Sequence, residues 1–324
     1  MNPRTPIIVH TVQEPMIPSR GQKKSRFGGR TLCIAISTLL LVAVGLIIVF
    51  AFVRDPVSRE AKETFQMLKE CLNDTTISTN MRDLVIPDGE CNDIDSTVFD
   101  LGAFRKLERL SVGSFSLGSI LTVRIRNLKS LESIVFKEES FTRKNGELHI
   151  ENCVALKTLR MLDGSFHFFS ALSLKSLPSL ETLEIDADCF TEVEHFTLSS
   201  LPHLRSVFFG ASSFIRKAGE LRVENCQSLE ELTVRDKAFG AFTRLHLARL
   251  PALQRLTIGA GCFADVRDLA LAQLDSLRSV VVGTNSFAHA AGAFSLVASS
   301  VQELLLGDGP SPPLRRFISP LCPR

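Results

Sequence analysis

Apolar residues recur along this chain in two rhythms, and each predicts a different element. The first is an unbroken run. Residues 31–53, which begin at Thr31 and end at Val53, carry no charge across 23 positions. A helix rising about 1.5 Å per residue would span about 35 Å over this length, enough for a hydrocarbon core of about 30 Å. In lipid only a helix or a closed barrel satisfies the backbone, and the run has no barrel-like alternation. It is longer than the apolar region of a cleaved signal peptide and starts after 30 residues. The pattern therefore predicts one N-terminal transmembrane α-helix, a signal-anchor whose partner is the lipid bilayer.

The second rhythm is a repeat. A Phe preceded by a small residue stands at Phe115, Phe141, Phe166, Phe190, Phe214, Phe239, Phe263 and Phe287, with spacings of 26, 25, 24, 24, 25, 24 and 24. Between these anchors the apolar positions also return. One unit holds Leu172, Leu174, Leu177, Leu180, Leu183 and Ile185 before Cys189-Phe190, and the next holds Phe196, Leu198, Leu201, Leu204, Val207 and Phe209 before Ser213-Phe214. Pairs such as Leu172-x-Leu174 and Leu183-x-Ile185 have period 2, which puts both side chains on one face of a strand. No single unit can bury that face alone; stacking like units closes a continuous core. The prediction is a repeat solenoid with two short strands per turn, joined by tight turns or 3₁₀ pieces, eight or nine units long and about 40 Å tall at about 4.8 Å per stacked strand.

These residues resemble the leucine-rich-repeat superfamily over about residues 104–306. The Leu-x-x-Leu-x-Ile core and the Asn-Cys pairs at Asn152-Cys153 and Asn225-Cys226 look like its signature, and the small-Phe pair looks like the BspA-like subtype, without that subtype's Ile-Pro turn. The resemblance implies a fold of the leucine-rich-repeat type, mainly short β-strands and turns. A longer period overlies the short one. RKNGELHIENC at 143–153 returns as RKAGELRVENC at 216–226, and residues 141–213 share 33 identities with 214–286. Arg143, Lys144, Gly146, Glu147 and Glu151 are retained although the core pattern does not demand them. Copying of a three-unit block is the simplest account; two equivalent ligand patches is the alternative.

The chain thus divides into a basic cytoplasmic tail (1–30), the transmembrane helix (31–53), a juxtamembrane helix and N-terminal cap (54–103), the solenoid (104–309) and a Pro-rich tail (310–324). Asp55-Pro56 marks a helix start, with Val57, Ala61, Phe65, Leu68 and Leu72 on one face. That helix either covers the first unit or extends the membrane helix as a stalk. Of eight Cys, Cys33 lies in the apolar run. Cys153 and Cys226 take a slot that Leu177 and Leu201 fill elsewhere, while Cys189 and Cys262 take the slot of Ser140, Ser165 and Ser213; these four read as small buried residues. Cys71 and Cys91 stand outside the repeat and are the candidate disulfide of an extracytoplasmic domain. Asn73-Asp74-Thr75 is a candidate N-glycosylation sequon at Asn73.

Charge sets the orientation. Residues 1–30 hold six Lys or Arg against Glu14 alone, which leaves the other 294 residues at net −3 of the formal +2. Five of those basic residues crowd positions 20–30, against Arg54, Arg59, Lys62 and Lys69 spread behind the run, so the N-terminus is placed in the cytoplasm and the bulk of the chain outside or in a lumen. The pattern places the anchor in a plasma membrane or an endomembrane without distinguishing them. A folded part that is not basic makes nucleic acid an unsuitable partner. Trp and Tyr are absent while Phe occurs 23 times, as expected if Phe fills one recurring slot.

No catalytic constellation, cofactor motif or metal-ligand spacing is present, so the expectation is a non-enzyme without cofactor. Scattered His149 and His246 sit between core positions of a strand. What the fold supplies is surface. One outward column, between the last two apolar residues of each unit, runs through Ser111, Val135, Arg160, Glu184, Phe208, Thr233, Thr257, Val281 and Leu305. Arg160 to Leu305 form the candidate protein-binding surface, with Phe208 as an exposed aromatic. The leading reading is a binding or adhesion module, glycosylated and extracytoplasmic. Alternatives are a cytosol-facing scaffold on an internal membrane and a receptor signalling through partners.

Overall fold

A computed structural model describes residues 57–288 and 301–307. The basic tail 1–30, the apolar run 31–53, Cys33 and the Pro-rich segment 310–324 lie outside the described residues. Among the described residues no helix is long and apolar enough to cross a membrane.

The chain winds into a parallel β-solenoid of about nine turns with two walls. The first wall is one ten-stranded sheet. Its strands are β1 (Asp83–Ile86), β3 (Arg109–Val112), β5 (Ser133–Phe136), β7 (Thr158–Met161), β9 (Thr182–Ile185), β11 (Ser206–Phe209), β13 (Glu231–Val234), β15 (Arg255–Ile258), β17 (Ser279–Val282) and β18 (Glu303–Leu306), each bonded in parallel to the next in this order. The second wall is two four-stranded sheets: β2 (Val98–Asp100), β4 (Thr122–Arg126), β6 (Gly146–Glu151) and β8 (Phe169–Lys175), then β10 (His195–Ser199), β12 (Glu220–Glu224), β14 (Arg244–Ala248) and β16 (Asp268–Ala272). Nine strand spacings make the first wall roughly 43 Å tall. Strand burial alternates as the period-2 pattern requires: Leu183 and Ile185 are buried, Thr182 and Glu184 half-buried.

Corners join the walls, and among the described residues each turn holds up to three recurring corner positions at positive φ. The first is occupied by Gly89, Phe115, Glu139, Gly164, Asp188, Ser212, Lys237, Gly261 and Asn285. Two residues later come Cys91, Leu117, Phe141, Phe166, Phe190, Phe214, Phe239, Phe263 and Phe287 at φ between 51° and 60°. After the second-wall strand come Asn127, Asn152, Ser176, Ser200, Asn225, Arg249 and Gln273. Left-handed backbone costs a non-Gly residue about 1–3 kcal/mol. Here it turns an N–H toward an adjacent turn: Glu139 N–H donates to the Asp163 carbonyl at 2.9 Å, and Asn127 N–H to the Glu151 carbonyl at 3.0 Å.

The second of these corners explains the Phe usage. Rings of Phe141, Phe166, Phe190, Phe214, Phe239, Phe263 and Phe287 form one stack, with successive centroids 4.9, 5.4, 5.7, 4.7, 5.4 and 5.7 Å apart. Burying a Phe side chain contributes about 1.5–3 kcal/mol, and an aromatic pair about 0.5–1.5 more. Together these offset the backbone cost at each turn.

Two sequence-based placements change. Phe115 is not in the ladder: it lies two residues early, at the first corner, and is 64% exposed, while Leu117 fills the slot 24 residues before Phe141. Cys91 is not outside the repeat either, since it holds the same ladder slot one turn earlier. The solenoid accordingly starts at β1, inside the segment assigned to the cap.

The cap itself is helix α1 (Arg59–Cys71). Ser58 is its N-cap, and the Ser58 hydroxyl accepts the Ala61 N–H at 3.0 Å; Asp55-Pro56 lies outside the described residues. Ser58 is extended (φ −60°, ψ 160°), the usual backbone of an N-cap residue. Ala61, Thr64, Met67 and Leu68 are buried, and Val57, Phe65 and Leu72 pack partly buried beside them. The Thr64 hydroxyl donates to the Val98 carbonyl (3.3 Å) and accepts the Asp100 N–H (2.9 Å), which satisfies the open edge of β2. Phe65 meets Phe104 edge-on at 5.8 Å. The helix thus covers the first turn.

Candidate binding surface

The outward column follows the first-wall ladder residue by residue. Arg160 pairs in register with Glu184, Glu184 with Phe208, Phe208 with Thr233, Thr233 with Thr257, Thr257 with Val281 and Val281 with Leu305. The whole candidate set is therefore brought together, one residue per strand at about 4.8 Å spacing. Val85, Ser111 and Val135 continue it toward the cap.

Its character differs from expectation in one respect. Phe208 is half-buried, not exposed, because Glu184 and Thr233 flank it on both sides. The exposed large apolar residues of the column are at its ends, Val85 (61%) and Leu305 (53%), where only one neighbouring strand is present. Near its middle, Arg160 donates to the Glu184 carboxylate, which raises the guanidinium pKa. Such an exposed pair contributes under about 1 kcal/mol. Flanking charges are matched in the same way, Arg255 with Glu231 at 2.9 Å and Arg205 with Glu230 at 3.6 Å. The C-terminal half, from Phe208 through Thr233, Thr257 and Val281 to Leu305, is a stripe of methyl and ring surface between paired charges.

The cysteines fall into two groups. Cys71 and Cys91 are bonded, with Cα atoms 5.2 Å apart, which ties the end of α1 to the second corner of the first turn. Cys153, Cys189, Cys226 and Cys262 are free and buried. Burial pushes the Cys153 and Cys226 thiols up to about 11 and those of Cys189 and Cys262 to about 12. These thiols stay protonated and unreactive near neutral pH. The slot of Cys189 and Cys262 has a task beyond being small. Ser213 there donates to the Asp186 carbonyl (2.7 Å) and accepts the Cys189 N–H (3.1 Å); Cys189 donates its thiol to the Leu162 carbonyl (3.3 Å). Ser116, Ser213 and Ser286 in this column each satisfy a backbone N–H and a carbonyl, while Cys189 and Cys262 donate to carbonyls alone.

Asn73 is exposed, just beyond the C-terminal end of α1, and the following Asp74 carboxylate accepts from Thr76 N–H and hydroxyl at 2.7 Å each. On the second wall His149 lies against Glu147 at 3.2 Å. His246 is four strands further on, roughly 19 Å away. Among the described residues no group of three or more His, Cys, Asp or Glu is placed to hold a metal ion.

The retained Arg-Lys-x-Gly-Glu turns have a packing reason for their glycine. A Cβ on Gly146 would run into the ring of Phe169, and one on Gly219 into the ring of Phe242. Phe169 and Phe242 are themselves 73 residues apart, so the copied block carries both halves of each contact. The two turns are not equivalent at their surface. Arg216 bonds both Glu192 and Glu194, whereas Lys144 of the first copy lies over the Phe168 ring at 5.5 Å.

Sequence reasoning missed that both turns border a cavity, lined by Asn145 of the first and Arg216 of the second. A signal was present: Phe141 to Leu148 and Phe214 to Leu221 are seven residues, while Phe166 to Leu172 and Phe190 to Phe196 are six. Compared with protein-family models, curated proteins and solved structures, the chain matches none of them.

Proposed function

We propose that this chain is a membrane-anchored solenoid of the leucine-rich-repeat type, with a BspA-like small-Phe corner, that acts as a non-enzymatic binding or adhesion module on the extracytoplasmic side of a membrane. The apolar run 31–53 is the anchor and the basic residues before it keep the N-terminus in the cytoplasm. The observation that carries the binding role is the unbroken in-register column from Arg160 to Leu305, whose apolar C-terminal stripe is framed by internally neutralised charges. Methyl and ring surface beside paired charges suits a protein ligand.

Two further features support the compartment. The Cys71–Cys91 bond belongs to an oxidising environment, and Asn73 presents its sequon in the open. The test is topological. In intact cells expressing the full chain, external protease or lumenal glycosidase should act on the C-terminal mass, and Asn73→Gln should remove one glycan. Full protease protection in every compartment, with Cys71 and Cys91 reduced, would establish a cytosol-facing scaffold instead.

A further inference from the structure

The second wall is interrupted once. β8 and β10 are consecutive second-wall strands, yet they belong to separate sheets, and the ladder that joins every other neighbouring pair of that wall is missing between them. β8 also carries one extra residue against β6: Gly146 pairs with Phe169 and Glu147 with Ala171, which leaves Ser170 as a bulge. Leu172 and Leu174 are 9% and 7% exposed, while Leu148 and Ile150 one turn earlier are 0%.

A cavity of about 460 Å³ opens at the start of this seam, lined by Asn145, Ser170, Leu172, Glu192, His195 and Arg216 with Ala171 and Glu194 between them. Its walls come from four consecutive turns, so it is roughly 14 Å long at about 4.8 Å per strand. The two longer corners bound it: the first contributes Asn145 and the second Arg216. The volume falls in the range of small-molecule sites, about 300–1,000 Å³.

The lining selects a ligand class. Arg216 is already engaged, Nε with Glu194 at 3.2 Å and Nη1 with Glu192. An anionic ligand would have to compete with two carboxylates for it, and a cationic ligand would meet the guanidinium. These side chains are 40–51% exposed, so each pair adds little stability; the triad acts on selectivity by leaving no unengaged guanidinium for an anion. Each carboxylate nevertheless keeps lone pairs to spare. The Asn145 amide, the Ser170 hydroxyl and the His195 ring add donors and acceptors, and Ala171 and Leu172 add a small apolar floor. Hydroxyl groups, which both donate and accept, can use all of these without disturbing an ion pair. From this juxtaposition we propose that the cavity between the two copied corners is a binding site for a short, uncharged oligosaccharide. The site shares no residue with the Arg160–Leu305 column, so it goes beyond the protein-binding role.

The experiment uses the full chain in detergent micelles, probed with an array of neutral oligosaccharides, acidic oligosaccharides and short charged peptides. Binding of at least one neutral oligosaccharide is expected, lost tenfold or more in Ser170→Trp, which fills the cavity from its exposed bulge. The double variant Glu192→Gln and Glu194→Gln keeps the shape and removes the charged acceptors; it should weaken the same ligand by a similar factor. Unfolding midpoints within a few degrees of wild type show that both variants fold, and a misfolded Ser170→Trp leaves the double variant to decide. Binding of no neutral oligosaccharide, preference for acidic ligands or peptides, or affinity unchanged in every folded variant would each overturn the assignment.

Discussion

Each turn of the solenoid has two left-handed residues only two positions apart, and they have opposite fates. At the first corner stand Gly89, Phe115, Glu139, Gly164, Asp188, Ser212, Lys237, Gly261 and Asn285; at the second stand seven Phe in a row, after Cys91 and Leu117. Backbone geometry is nearly the same at both, φ 56° for Asp188 and 52° for Phe190. Both corners also turn an N–H toward a neighbouring turn, Asp188 to the Ala211 carbonyl at 2.9 Å and Phe166 to the Ser140 carbonyl at 2.8 Å. What differs is where Cβ points: outward at the first corner, into the core at the second. The coil sets the backbone, and the side chain then only has to suit inside or outside. That is why the first corner tolerates glycine, acid, base and aromatic alike, while the second accepts only residues that fill the core.

The strongest way to break this comparison is to cut one residue from each column. Phe166→Ala removes a fully buried ring stacked on Phe141 and Phe190 and edge-on to Phe136 and Phe169. The expected loss is about 3–5 kcal/mol of unfolding free energy. Asp188→Ala, one corner away on an exposed side chain, is expected to cost about 1 kcal/mol or less. Denaturant titration of both variants measures the difference; equal losses would mean that the ladder is not the main support of the corner.

The two columns also show how far the sequence could be read. Strands, walls and the outward column were legible because buried side chains carry them, and burial leaves a period. The left-handed turns were not, because positive φ leaves no hydrophobic trace of its own: the Phe ladder was visible as a column but not as a corner. Ser114-Phe115 and Ser116-Leu117 are both small-apolar pairs; the identity of Phe115 favoured the wrong one, although the 24-residue step to Phe141 belongs to Leu117. The backbone partners also differ, since Phe115 N–H meets Glu138 while Leu117 N–H meets Glu90. The first turn escaped notice for a related reason. Met81 stands where later turns carry Leu107 and Leu131 before the strand, and the longer 26-residue step from Leu84 to Leu110 hides the repeat. The cavity was half legible: the seven-residue corners were countable, but nothing in the chain announced that β8 and β10 would part.

Between the two corners lies the serine or cysteine column, and it offers a sharper test of what is inside. The thiols of Cys189 and Cys262 are pushed from 9.0 to about 12 by burial. The unfolded chain therefore loses these protons near pH 9 while the folded chain keeps them until about pH 12. A raised folded pKa gives stability that is complete below pH 9 and is lost as pH climbs through this window, at a slope of up to about 1.4 kcal/mol per pH unit for each thiol. Cys189→Ser with Cys262→Ser should leave stability at pH 7 within about 1 kcal/mol, since Ser140, Ser165, Ser213 and Ser286 already serve in this slot. Between pH 9 and 10.5 the double variant should lose less than the wild type. Parallel unfolding curves across that range would show that the two thiols titrate alike in the folded and unfolded chain.

Phe115 is the smallest and most direct probe of the comparison, because it puts a ladder residue into the outer column. Its ring is 64% exposed and its backbone sits at φ 57°. The local structure uses only its main chain: the carbonyl accepts Asn92 Nδ2 at 2.8 Å and the N–H donates to Glu138. Asparagine tolerates the left-handed region better than any β-substituted apolar residue, and Asn285 already occupies the equivalent position seven turns on. Phe115→Asn is therefore expected to raise stability by up to about 1 kcal/mol, read as a small upward shift of the unfolding midpoint. A loss of similar size would mean that the ring packs on the surface of its turn, and that the outer column is not indifferent to what it carries.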